Sequence, residues 1–136
     1  MHARMRPRFV QQIIIACLFF CAGPSAFALD KDGAAYNLTV LEYSRQQALI
    51  CEKTIPGAYG QYQQWRIPLA VVEQDALQTL ETHAIRNKLD SREKREFMLG
   101  VQELIHKSVA SEGDIAKSNC ANFEADLSFY KKQFKK

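Results

Sequence analysis

The sequence predicts an all-α protein: a small antiparallel bundle of about four main helices, stapled by one disulfide and preceded by a cleaved signal peptide. Three observations predict it. Apolar residues recur at alternating steps of three and four in several long stretches, which places them on one face of a helix. No stretch shows the strict alternation or the Asn-Gly type of turn pair that marks strands and hairpins. Once an N-terminal leader is set aside, the four cysteines reduce to two, Cys51 and Cys120, an even pair.

The leader is read from residues 1–28. Arg4, Arg6 and Arg8 form a basic start, Phe9 to Ala22 is mostly apolar, and Gly23-Pro24 then precedes Ala26-Phe27-Ala28. That order of basic, apolar and small residues is a secretory signal peptide cut after Ala28. The apolar core is short for a membrane span of roughly 20 residues. Residues 29–136 form the expected single helical domain. Cys17 and Cys21 leave with the leader, so Cys51 and Cys120 are expected to pair in an oxidising compartment. The chain-entropy argument values closure of a loop of roughly 70 residues at about 4 kcal/mol.

The first helix is expected over Ala34–Thr54, a stretch without proline or glycine. Leu41, Ala48, Cys51 and Ile55 share its apolar face, with Tyr36, Val40, Tyr43 and Ile50 widening it. Ile55-Pro56-Gly57 ends it. Tyr59, Tyr62 and Trp65 then recur every three residues, a short aromatic helical segment that Pro68 breaks near Ile67. A longer helix resumes from Leu69 to Lys88, with Leu69, Val72, Ala76, Leu80 and His83 on one side. Asp90-Ser91-Arg92-Glu93 reads as a capping box opening a helix over Ser91–Ala110. There Phe97, Val101, Leu104 and Ser108 share a face, supported by Met98 and Ile105. Gly113 stops that helix and Asp114 caps the last one, Ile115–Phe134. Its stripe is Ala116, Cys120, Phe123, Leu127, Tyr130 and Phe134. Short connections favour antiparallel neighbours.

Composition narrows the functional classes. The whole chain carries a formal charge of +3. The three leader arginines account for all of it, leaving 15 basic residues against 15 acidic ones. The mature chain is therefore neutral overall, with no net electrostatic case for nucleic acid, and no stable membrane insertion is expected after cleavage. Only His83 and His106 of the three histidines remain. No spacing of His, Cys and carboxylates suits zinc, and no cofactor motif is present. No nucleophile elbow or phosphate loop appears, and the paired carboxylates Glu73/Asp75 and Glu124/Asp126 fall on different helix faces. The basic run Lys131, Lys132, Lys135 and Lys136 reads as a solvated helix end that complements the helix dipole. Asn37-Leu38-Thr39 matches a glycosylation sequon but sits inside a helix.

The candidate binding surface is Tyr59, Tyr62, Trp65 and Arg66, residue types enriched at binding hot spots. The plainer reading is that these rings fill the joint between the first helix and the kinked second one. The functional expectation is a small exported, non-catalytic protein, periplasmic in a bacterium, that binds another macromolecule, a protein partner being expected, through a helical surface. An immunity or inhibitor-type protein is one concrete form. The alternatives are a periplasmic chaperone or adaptor of envelope proteins, and an enzyme with an unrecognised site. That last class gains ground if the fold brings a histidine beside a carboxylate in a pocket.

Overall fold

The computed structural model describes residues 28–111 and 120–136; the expected leader, Gly113, Asp114 and the first part of the expected last helix, residues 115–119 with Ala116, lie outside the described residues. Among the described residues five α-helices are present: α1 Lys31–Glu52, α2 Ala58–Arg66, α3 Ala70–Arg86, α4 Ser91–Ser111 and α5 Phe123–Lys131. Helices α2 and α3 are joined by a 3₁₀ turn, Ile67–Leu69, and form one bent rod, so four main helical rods result. No strand occurs among the described residues.

Helix α1 is the centre of the bundle: α2, α3, α4 and α5 all pack on it. It begins three residues earlier than expected. Asp30 is the N-cap, its Oδ1 accepting from the Gly33 N–H at 2.6 Å. Its buried positions are Ala34, Asn37, Leu41, Ser44, Gln47, Ala48 and Cys51. That stripe has the expected period, but three of its members are polar. Ser44 satisfies its hydroxyl on the Val40 carbonyl at 2.7 Å, while Asn37 and Gln47 reach across to the C-terminal segment. Thr54 and Ile55, expected at the helix end, fall in the following turn, where Ile55 N–H donates to the Cys51 carbonyl at 2.7 Å.

Two carboxylates organise the junctions. Glu52, at the end of α1, accepts from Gly57 N–H at 3.1 Å and Tyr59 N–H at 2.7 Å. It thereby caps the first turn of α2, whose unsatisfied donors face it. Gly57 holds a left-handed φ of 96°, which only glycine adopts without cost. At the other junction the capping box forms as expected. Asp90 Oδ1 accepts from Glu93 N–H at 2.8 Å, and Glu93 Oε2 accepts from Asp90 N–H at 2.9 Å. Between these points α3 ends in a Schellman turn: Leu89 N–H donates to the Ala84 carbonyl and Lys88 N–H to the Ile85 carbonyl. Lys88 takes the left-handed position at φ 55°.

The core has three connected parts. Ala48, Cys51, Ala58, Tyr62, Phe123 and Leu127 form the first. Ala34, Ala76 and Leu80 form the second, and Ile105 and Val109 the third. The expected face of α3 is buried at Leu69, Ala76 and Leu80, and half-buried His83 stacks on Phe97 at 5.4 Å. The face of α4 is rotated from expectation. Leu104 is 57% exposed while Ile105 and Val109 are buried. Only one narrow side of α4 meets α1 and α3, so one step along the stripe separates core from solvent.

The last helix also differs from expectation. Cys120–Asn122 is a 3₁₀ turn, α5 starts at Phe123, and it stops at Lys131. The chain leaves the helix there because the tail finds other partners. Lys135 N–H donates to Asn37 Oδ1 at 2.7 Å, and the Lys135 carbonyl accepts from Asn37 Nδ2 at 3.0 Å. Asn37 is thus committed and 1% exposed, which removes it as a glycosylation acceptor in the fold. The expected pair Cys51–Cys120 is bonded, with Cα atoms 5.4 Å apart.

Two outcomes follow for stability. Replacing both cysteines by alanine is expected to cost about 4 kcal/mol, the entropy released to the unfolded chain by opening the loop, measured by denaturant unfolding against the oxidised parent. Lys88→Gly is expected to raise stability by up to about 1 kcal/mol, because glycine carries no side-chain penalty in the left-handed region. Thermal unfolding of that single variant checks it.

Candidate functional site

The aromatic segment is placed by α2. Tyr62 is 2% exposed and packs in the core with Cys51 and Phe123. Tyr59 and Trp65 pack against that cluster and remain partly exposed. The rings form a chain: Tyr59–Tyr62 at 5.7 Å, Tyr62–Trp65 at 6.0 Å and Trp65–Phe134 at 6.2 Å. This is the joint-filling arrangement, and Tyr62 has no surface to offer a partner. Trp65 Nε1 is buried and has no hydrogen-bond partner among the described residues. Arg66 reaches forward to an ion pair with Glu73 on α3, bracing the bend at Pro68.

A small pocket of about 230 Å³ lies between α1, the α2–α3 bend and α4. It brings His106 together with Glu42, Arg45, Arg66 and Glu73, residues that no local motif linked. Both carboxylates are already occupied. Glu42 accepts from Arg45 Nε at 2.9 Å, Arg45 Nη2 at 2.8 Å and Gln46 Nε2 at 2.9 Å. The Arg45 hydrogen bond holds the Glu42 carboxyl below its ordinary range, against the opposing effect of burial. A carboxylate held ionised and fully hydrogen-bonded is a weak general base.

A groove of about 1090 Å³ runs beside α3. Helix α3 forms one wall along its length, and the start of α1 with the C-terminal tail forms the other. Leu69, Val72 and Phe134 give it apolar ground. Its cationic lining is Lys31, Arg86, Lys131, Lys132, Lys135 and Lys136, against the two carboxylates Asp30 and Asp75. The tail is held tightly where it crosses α1. A Cβ on Gly33 would lie 2.8 Å from Leu29 Cδ1 and 3.4 Å from Lys135 Cβ, and Lys135 Nζ sits 5.1 Å from the Tyr36 ring centre. The C-terminal lysines therefore line a groove rather than merely ending a helix. The sequence flagged those four lysines. It gave no signal that Lys31 and Arg86, distant in the chain, join them.

Among the described residues, no helix is long and apolar enough to cross a membrane. No group of three or more His, Cys, Asp and Glu side chains there could hold a metal ion. Comparison with family models, curated proteins and solved structures found no match to this chain.

The local charge arrangement has a pH consequence. Glu52 is held below its ordinary range by the Tyr59 and Gly57 N–H groups, and Glu81 by Lys94. With Glu42 these are depressed carboxyls, so the stability they contribute is present above the unfolded value of about 4.3 and is lost as pH falls through the folded values. Burial raises Tyr62 and Tyr130, so their contribution is lost as pH climbs beyond about 10. The melting temperature is expected to be flat between these limits and to fall on both sides. Glu52→Gln should lower the plateau and shrink the acid-side loss.

Proposed function

We propose that this is a small exported, non-catalytic protein that binds another protein through a helical surface, with the long groove along α3 as the contact. One observation carries the reading: the fold leaves a concavity of about 1090 Å³ open along α3, with Leu69, Val72 and Phe134 in its lining. Ile67, Val71 and Ile85 are 65%, 57% and 65% exposed on α3 and the turn before it. Apolar ground in a concavity rimmed by polar and charged side chains, on an element that also exposes large apolar groups, is the usual mark of an interaction site. The disulfide and the leader-like N-terminal sequence support export. An inhibitor or immunity role suits a rigid, cross-linked surface and requires one tight partner. A chaperone or adaptor role requires weak binding to many clients.

A pull-down tests this. The oxidised protein is used as bait against extracts of its source and of neighbouring species, beside Gln78→Trp, which fills the groove from an exposed position. One stoichiometric partner that Gln78→Trp loses is expected. Many weak clients would favour the chaperone role, and a partner indifferent to Gln78→Trp would remove the groove from the account.

A second reading has its own observation, the approach of His106 to Glu42 in the smaller pocket. It makes the protein an enzyme whose base is His106. Its test is a hydrolase substrate screen in which His106→Ala abolishes whatever activity is found; no turnover with any substrate removes it.

A further inference from the structure

The groove's chemistry narrows the partner. We infer that it seats an acidic, extended segment of a partner protein, with carboxylates meeting its lysine and arginine rim; this rests on reading the protein as a binder.

Three features argue for that occupant. The first is charge. Six cationic side chains face the groove against two carboxylates, and one of those, Asp30, is engaged in capping α1. Lys31 has only a long contact of 4.0 Å with Asp32. Arg86, Lys131, Lys132 and Lys136 have no acidic partner among the described residues. Positive charges gathered without counter-charges raise the local concentration of anionic partners and await neutralisation. The neutral balance of the mature chain makes this local rather than global, so it favours a docked segment over general attraction to polyanions.

The second feature is length. The α3 wall runs from Leu69 to Asn87, about 27 Å at the helical rise of roughly 1.5 Å per residue. That matches about eight residues of extended chain at roughly 3.4 Å each. The third is the wall itself. Gln78 and Thr82 offer amide and hydroxyl groups along it, while Val72 and Phe134 supply apolar ground. An acyl chain laid along that wall would strip water from amides without replacing its hydrogen bonds. A peptide main chain supplies donors and acceptors, and alternate side chains can rest on the apolar ground.

The experiment is a titration followed by fluorescence anisotropy. The oxidised protein from the full chain is mixed with a dye-labelled peptide of alternating Glu and Leu, with its Gln–Leu and Lys–Leu counterparts, with heparin, and with vesicles of anionic phospholipid. The Glu–Leu peptide is expected to bind at least about tenfold more tightly than Gln–Leu, and less tightly as salt rises. The charge-reversal variant Arg86→Glu/Lys132→Glu, with an unchanged melting curve as proof of folding, leaves four cations against four carboxylates and should lose that preference. The inference is overturned by equal binding of Glu–Leu and Gln–Leu, or by indifference to the charge reversal. Tighter, reversal-sensitive binding of heparin or vesicles would also overturn it in favour of a polyanion or a lipid surface. Should the natural partner survive the charge reversal yet be lost with Gln78→Trp, the binding role stands and the acidic occupant falls.

Discussion

The structure depends on how one short helix is tied to one long one. Helix α5 has nine residues, too few to hold helical form on its own in water. Three tethers from α1 hold it and the tail that follows. Cys51 bonds Cys120. Gln47 donates to Asp126 Oδ2 at 2.9 Å and accepts from the Tyr130 hydroxyl at 2.7 Å. Asn37 pairs with both main-chain groups of Lys135. As residue numbers fall along α1, they rise along the C-terminal segment, so the segment runs back along α1 in a fixed register. Asn37 and Gln47 are themselves buried, and losing the partners on the C-terminal segment would leave either amide unpaired at about 1 to 3 kcal/mol. Tyrosine edges seal the seam: Tyr43 meets Tyr130 edge-on at 5.6 Å.

That seam also makes the groove. Phe134 and the four C-terminal lysines stand as a wall opposite α3 only because Asn37 holds the tail against α1. The same contacts bring Phe134 against Trp65, which links the wall to the aromatic joint at the α2–α3 bend. The residues that looked like a hot spot, Tyr59, Tyr62 and Trp65, therefore act as support. They fix the bend and hence the line of α3, with Tyr62 buried and Tyr59 and Trp65 still partly exposed.

What the sequence made legible was whatever short-range chemistry dictates. Pro68 bends the second rod where its ring forbids a continuous helix. Asp90 and Glu93 close their box because both partners are three residues apart. Cys51 and Cys120 stood out because two cysteines remain once the leader is set aside. The misses share a different cause. Asn37, Ser44 and Gln47 lie on the buried stripe of α1, but counting apolar residues passes over polar ones whose partners sit up to 98 residues away. Leu104 was assigned inward because periodicity gives a direction only to within a step, and α4 buries a narrow face. The end of α5 was misplaced because a side chain on α1, not a local stop signal, draws the tail away. The groove was hidden because Lys31 and Arg86 join the C-terminal lysines only in three dimensions.

The most direct measurement of this account is hydrogen exchange across the backbone, read by mass spectrometry in the oxidised protein and after selective reduction of Cys51–Cys120. The account predicts that reduction sharply raises exchange in α5 and at the Lys135 amide, while α1, α2 and α3 stay protected. The groove would then lose one wall and keep the other. Unchanged protection of α5 and the tail after reduction would contradict it, showing that packing on α1 holds the C-terminal segment without its covalent tether.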